Sequence, residues 1–156
     1  MSARLLVLVM PGQERAALAG LAALVATARA DGAVLRIACF QPLPAPREDH
    51  HGRVVADVDR EMARLTRTLE STFDAAARVF DDVAIECVVR FGRPRREARL
   101  ETEAYAPDIV ASFEGRGALG TMRYLITGAR RSAAAASAAS RATRSAAFWR
   151  RAMRTP

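Results

Sequence analysis

Apolar runs and polar turns alternate along this sequence in the order expected of a chain that builds a parallel sheet. Continuous apolar stretches of strand length begin at Leu5, Val34, Val83 and Ile109. Such runs are typical of strands buried on both faces. Between them, apolar residues recur at steps of three and four, which indicates helices. The pattern predicts an α/β fold: a Rossmann-like three-layer sandwich, with a mainly parallel sheet of four to five strands and helices on both faces.

Three helices are predicted between these strands, over residues 13–29, 54–80 and 95–105. The second has the clearest apolar stripe, at steps of three and four. The third carries arginines and glutamates that are interpreted as a solvated surface of compensating charges. Residues 41–52 are predicted to form a polar loop. Its adjacent histidines have no third or fourth ligand in register, so no metal site is predicted.

The pattern weakens from Gly115 onward. Residues 122–126 are interpreted as the start of a helix, and no fifth strand is predicted after them. The fourth strand would then be an open edge, which a homodimer, another partner or the C-terminal tail would have to cover. The chain is accordingly divided into an α/β domain, residues 1–128, and an Ala- and Arg-rich segment, residues 129–156, predicted to be helical or loosely ordered.

The net charge of +7 is distributed unevenly. All 17 acidic residues precede Gly115, whereas the segment from Gly115 to Pro156 carries nine arginines. Such a tail suits an acidic partner or a nucleic acid. Apart from Tyr124, only Phe148 and Trp149 supply aromatic rings there, and no nucleic-acid motif accompanies them, which disfavours nucleic acid. Arginines solvated by water are the simpler interpretation.

The cysteines and the apolar N-terminal run indicate where the protein resides. Cys39 and Cys87 both fall inside apolar runs, which predicts buried, reduced thiols. The apolar run that begins at Leu5 is cut short by Pro11 and Gly12, so no signal peptide is predicted, and nothing approaches the roughly 20 apolar residues of a membrane span. A cytoplasmic protein without membrane contact is expected.

No arrangement of nucleophile, base and acid is found in the sequence, so no enzymatic activity is predicted.

Three segments are informative beyond the fold: the run from Leu5 to Val9 with its Pro-Gly turn, Gly92-Arg93-Pro94 followed by Asp108-Ile109-Val110, and Gly115-Arg116-Gly117. Together they resemble the universal stress protein family. The first segment is similar to the first strand and loop of that family, the second to its third turn and fourth strand, and the last to its glycine loop. The C-terminal segment, residues 149–156 with Trp149, is also similar to the Trp-containing segment that precedes the last strand in tandem-type members. The resemblance implies a HUP-type sheet of five parallel strands, dimer contacts and, in many members, ATP binding.

The sequence departs from the ATP-binding members of that family at the nucleotide motif. Those members end the first strand with Asp, where this chain has Met10. Their loop reads Gly-x-x-Gly, nine residues, then Gly-Ser or Gly-Thr. Here Ser112 replaces the first glycine, twelve residues separate Gly115 from Gly128, and Ala129 replaces the hydroxyl residue. Because a phosphate loop depends on close backbone approach, the changed spacing disfavours nucleotide binding.

The resemblance therefore favours a non-enzymatic regulatory module of the cellular stress response that requires no cofactor. An ATP-binding member with a rearranged loop is the first alternative, and an interaction protein that uses its Arg-rich tail is the second. Any ligand is expected at the carboxyl ends of strands one and four, where Arg116 would neutralise a phosphate. The candidate cofactor-binding residues are Met10, Gly12, Phe40, Ser112, Gly115, Arg116, Gly117 and Gly128.

Overall fold

The computed structural model describes residues 2–115 and 120–127. The predictions for the glycine loop at 116–119, and for everything from residue 128 onward including the Arg-rich tail, lie outside the described residues. The strands and helices are β1 Ala3–Val9, α1 Glu14–Asp31, β2 Ala33–Gln41, β3 Arg47–Glu48, β4 Val54–Ala56, α2 Val58–Ala77, β5 Ile85–Phe91, α3 Pro94–Tyr105, β6 Ile109–Glu114 and β7 Thr121–Ile126.

The main sheet has five strands in the order β5-β2-β1-β6-β7. The first four strands of this order are parallel, and β7 is antiparallel to β6. The prediction of an α/β fold with a mainly parallel sheet is thus confirmed, and its strands begin close to the four predicted positions. β1 lies at the centre, where Leu5, Leu6 and Val7 have no exposed surface. This burial on both faces explains its continuous apolar run.

The prediction that no fifth strand follows was wrong. Thr121–Ile126 forms β7, which pairs with β6 from Ile126 opposite Ile109 to Thr121 opposite Glu114. Met122 and Tyr124 pack against the core, while Thr121 and Arg123 are exposed. This alternation has the period of two that a strand requires, and the helical interpretation overlooked it. The edge of β6 that was expected to be open is covered by β7 itself.

The second helix begins later than predicted. Val54–Ala56 forms the short strand β4, which pairs with β3, and α2 starts only at Val58. Asp57 precedes it in an extended conformation, and its side chain accepts a hydrogen bond from the backbone N–H of Arg60 at 2.9 Å. This N-cap satisfies one of the otherwise unpaired donors of the first turn, which places the start of the helix here.

Two apolar cores separate three layers. α1 and α2 pack on one face of the sheet through residues such as Leu24 and Phe73. α3 packs on the other face, where Ala98 and Tyr105 contact Leu6 and Phe40. Both faces of the sheet therefore carry helices, as the sequence pattern predicted.

Tyr124 joins β7 to α1. Its hydroxyl oxygen lies 3.3 Å from Thr27 Oγ1, and burial raises the pKa of Tyr124 above its ordinary value. The folded protein therefore holds the phenol proton more tightly than the unfolded chain does. Stability should fall as the pH rises above about 10, where the tyrosine of the unfolded chain ionises. We expect Tyr124→Phe to reduce this alkaline loss, as measured by urea unfolding over a pH series.

The second tyrosine provides the control for this experiment. Burial also raises the pKa of Tyr105, so Tyr105→Phe should remove its own share of the alkaline loss, and the double variant should remove more of it than either single variant does. An alkaline loss of full size in Tyr124→Phe would contradict the described burial of that phenol against α1.

Candidate functional site

The order of the strands defines where a ligand could bind. The chain passes from β1 to β2 and β5 on one side of the sheet, then returns to β6 on the other side of β1. α1, which follows β1, and α3, which precedes β6, lie on opposite faces. In open α/β sheets, ligands bind in the crevice outside the carboxyl ends of the strands at this point of reversal. The candidate site is therefore the crevice between the ends of β1 and β6.

Glycine turns border this crevice on both sides. Gly12 follows β1 with φ 82°, and Gly115 follows β6 with φ 85°. Both lie in the left-handed region, which residues with a side chain rarely adopt. The structure therefore explains why glycine occupies these two predicted site positions: the backbone must turn sharply at each strand end.

Gln13 bridges the crevice. Its side-chain Nε2 donates to the carbonyl oxygens of Phe113 at 2.9 Å and Gly115 at 3.2 Å. Its Oε1 accepts from the backbone N–H of Met10 at 3.1 Å. One amide thus ties the turn after β1 to the end of β6, and it uses both its donor and its acceptor groups for this. The sequence reasoning missed Gln13; an amide directly after a Pro-Gly turn was the available signal.

The start of α1 carries a negative charge. Glu14 lies in its first turn, and the Glu14 carboxylate accepts a hydrogen bond from Gln41 Nε2 at 2.7 Å. A helix N-terminus attracts anions because its N–H groups are unpaired and its dipole is positive there. Here a carboxylate of the same chain already complements that dipole and would repel an incoming phosphate.

The predicted site residues are distributed unevenly around this crevice. Met10 and Gly115 are brought together through Gln13. Ser112 is half-buried on β6, opposite Leu8 of β1. Phe40 has no exposed surface and fills the core beneath α3, so it offers no surface to a ligand. Arg116, Gly117 and Gly128 lie outside the described residues.

A second polar cluster is buried between α3 and the sheet. The Glu101 carboxylate, with its side chain 5% exposed, accepts from Arg36 Nη1 and from Arg90 Nε, each at 3.0 Å. Arg36 also donates to Glu86 at 2.9 Å, and its guanidinium lies 4.1 Å from the ring centre of Tyr105. The interpretation of Glu101 as a solvated residue was therefore wrong. Because each of its oxygens is paired with an arginine, the cluster attaches α3 to β2 and β5.

Other candidate chemistry is sparse in the described part of the chain. Residues 2–115 and 120–127 contain no group of three or more His, Cys, Asp or Glu side chains that could hold a metal ion. His50 and His51 lie side by side at the tip of the loop, with ring centres 3.7 Å apart and ring planes tilted by 45°. Cys39 is buried, as predicted, whereas Cys87 is only half-buried; both are free thiols. None of the helices within these residues is long and apolar enough to cross a membrane.

No family model matches this sequence, and no curated protein matches it. Its function must therefore be inferred from the fold and the crevice.

The Gln13 bridge should contribute measurably to stability. We expect Gln13→Ala to lower the free energy of unfolding by about 1–2 kcal/mol, because three backbone groups lose their partner in a partly buried place. Gln13→Glu should cost at least as much at neutral pH, since a carboxylate cannot donate to two carbonyl oxygens. Gln41→Ala, which removes a single hydrogen bond, should cost less. Urea unfolding measures all three, and wild-type stability in Gln13→Ala would show that the bridge contributes nothing.

Proposed function

We propose that this protein is a non-enzymatic regulatory module of the universal stress protein type, acting in the cellular stress response. The mainly parallel, Rossmann-like sheet with helices on both faces supports this class. The apolar first strand with its Pro-Gly turn and the Gly-Arg-Pro turn before α3 add to the support. The antiparallel β7 departs from the family pattern, in which the fifth strand is parallel.

The Gln13 bridge across the crevice is the observation that carries the non-nucleotide form of this proposal. A triphosphate bound at the ends of β1 and β6 would need free N–H groups and positive charge. Gln13 instead connects both walls, and Glu14 places a carboxylate at the start of α1. The module is therefore proposed to act through its protein surfaces, and its action does not depend on a bound nucleotide.

A thermal-shift titration with ATP and Mg²⁺ tests this directly. Any ligand that binds only the folded state raises the unfolding midpoint by mass action. We expect no saturable rise with ATP and Mg²⁺ up to millimolar concentration, compared with Mg²⁺ alone. A saturable rise would overturn the non-nucleotide form of the proposal.

The ATP-binding alternative is favoured by one observation. Gly12 and Gly115 lie on opposite sides of the crevice with left-handed backbone conformations, which permit close approach of a backbone to a phosphate. For a nucleotide to enter, the Gln13 side chain would have to leave the carbonyl groups that it binds. If this alternative holds, Gln13→Ala should bind ATP more tightly than the wild type does. Equal absence of binding in both proteins would exclude it.

The stress-response role requires a test in the cell. Deletion of the gene in its host should lower survival after starvation or oxidative stress while leaving unstressed growth unchanged. Re-expression of the wild-type chain should restore survival. Unchanged survival of the deletion strain under every stress applied would contradict the proposed role.

A further inference from the structure

The segment between β2 and β3 is held extended by its covalent structure. From Pro42 to Pro46, every residue is either a proline or directly precedes one. Proline fixes its own φ near −65°, and the residue before it is restricted to extended conformations. These five residues form neither helix nor strand in the structure. That combination is characteristic of a polyproline II segment, which makes no internal hydrogen bonds.

The exposure of these residues follows the threefold period of polyproline II. Residues three apart share one edge of such a helix. Pro42 and Ala45 are exposed, as are Leu43 and Pro46, whereas Pro44 between them is half-buried. The segment thus rests on the body of the protein through Pro44 and presents two apolar edges outward. The Leu43 side chain is 63% exposed, although leucine is ordinarily a core residue.

We propose that this pair of edges, the Pro42–Pro46 ridge, is a docking surface for a partner domain with an aromatic-lined groove of the kind that binds polyproline II segments. Such grooves accept two apolar pairs that lie one turn apart. Pro42 with Leu43 supplies one pair, and Ala45 with Pro46 supplies the other. The residue between the pairs points away from the groove. In this chain that residue is Pro44, which is half-buried against the protein body.

Two further features suit this partner. The prolines restrict the ridge to extended conformations before any partner binds, so docking costs little conformational entropy. Arg47 follows directly, with its side chain 61% exposed and only a 3.5 Å contact to Glu61. It places a positive charge at one end of the ridge, which complements a groove with an acidic residue beside it. Docking here is independent of the crevice and of the function proposed for it.

The experiment measures binding of the whole chain to isolated domains that recognise polyproline II. A panel of purified SH3, WW and EVH1 domains is titrated with the protein, and the fluorescence of the groove tryptophans is followed. We expect saturable binding by at least one domain. Backbone NMR shifts of the ¹⁵N-labelled protein should change at Leu43, Ala45 and Arg47 and leave the crevice residue Gln13 unchanged.

Variants at one position change the affinity in opposite directions. Leu43→Asp should weaken binding at least tenfold, because it places a carboxylate in an apolar pocket. Leu43→Pro should tighten binding at least threefold, since a proline suits that position of the ridge and keeps its conformation. Val79→Asp, at another exposed apolar residue, should change nothing. Because the two Leu43 variants are expected to change the affinity in opposite directions, loss of the fold in the Asp variant alone cannot account for both results.

Three results would overturn the inference. One is the absence of binding by every domain of the panel. Another is binding that neither Leu43→Asp nor Leu43→Pro alters. The last is a set of NMR shift changes that lies away from the ridge. Any of them would reduce the segment to a rigid connection between β2 and β3.

Discussion

Replacing Glu101 by alanine is expected to lower the free energy of unfolding by about 3 kcal/mol, the lower end of the range for breaking a buried ion pair. The carboxylate is almost fully buried and accepts one hydrogen bond from each of two arginines. Its removal leaves two positive charges close together beneath α3 without the negative charge between them. Arg90 is half-exposed and regains water, which keeps the loss from being larger.

The neighbouring ion pair on the same helix is the matched control. Glu103 pairs with Arg99 at 3.2 Å, but its side chain is 62% exposed. Water and salt screen such a pair, so Glu103→Ala should cost no more than about 1 kcal/mol. Urea unfolding of both variants, with unchanged m values, makes the comparison. Equal losses at the two positions would show that Glu101 is solvated after all.

An apolar replacement of the pair extends this test. A buried ion pair exchanged for apolar residues of similar volume is often neutral in stability. The double variant Arg36→Leu and Glu101→Leu should therefore be more stable than Glu101→Ala alone. This outcome would show that the cluster determines how α3 packs on the sheet and contributes little to the net stability. A double variant less stable than Glu101→Ala would oppose that assignment.

Phe40→Ala is expected to have a comparable or larger effect, a loss of about 3–5 kcal/mol. Phe40 is fully buried between the sheet and α3, together with Leu6 and Ala98. Truncation removes its buried apolar surface and leaves a cavity that the close-packed surroundings fill only in part. A residue lining an open pocket would lose far less on truncation, so the size of the loss distinguishes the two roles.

An exposed leucine in the segment that follows serves as the reference for Phe40→Ala. Leu43→Ala removes apolar atoms from a side chain that is mostly exposed, and it should change the free energy of unfolding by no more than about 0.5 kcal/mol. Thermal and urea unfolding of the two variants give the comparison. A loss below about 1 kcal/mol in Phe40→Ala would indicate that Phe40 lines the crevice and does not fill the core.

Local patterns were sufficient to predict the principal architecture. The runs at β1, β2 and β6 are apolar because these strands lie inside the sheet, so their composition records burial directly. β5 is an edge strand, and its apolar residues are only half-buried. α1 ends at Asp31, and Gly32 directly after it, with φ 58°, is a common helix C-cap. The position of the crevice followed from the order of strands and helices alone.

Other features depend on contacts between residues distant in sequence. The residues of β7 have a periodicity that fits a strand, yet their pairing with β6 is required to make that strand stable. Charges on α3 look alike in the sequence, but Glu101 is buried and Glu103 exposed because only one of them faces the sheet. Local spacing carries no information about which side of a helix the sheet will cover when both sides are polar.

The crevice shows the same division. The Pro-Gly turn after β1 and the glycine after β6 could be predicted, because a sharp turn has a local residue requirement. The bridge that joins them could not, since Gln13 reaches carbonyl groups 100 and 102 residues away. The residue preferences of a turn depend only on neighbouring residues. The Gln13 bridge, by contrast, forms only once β1 and β6 lie side by side.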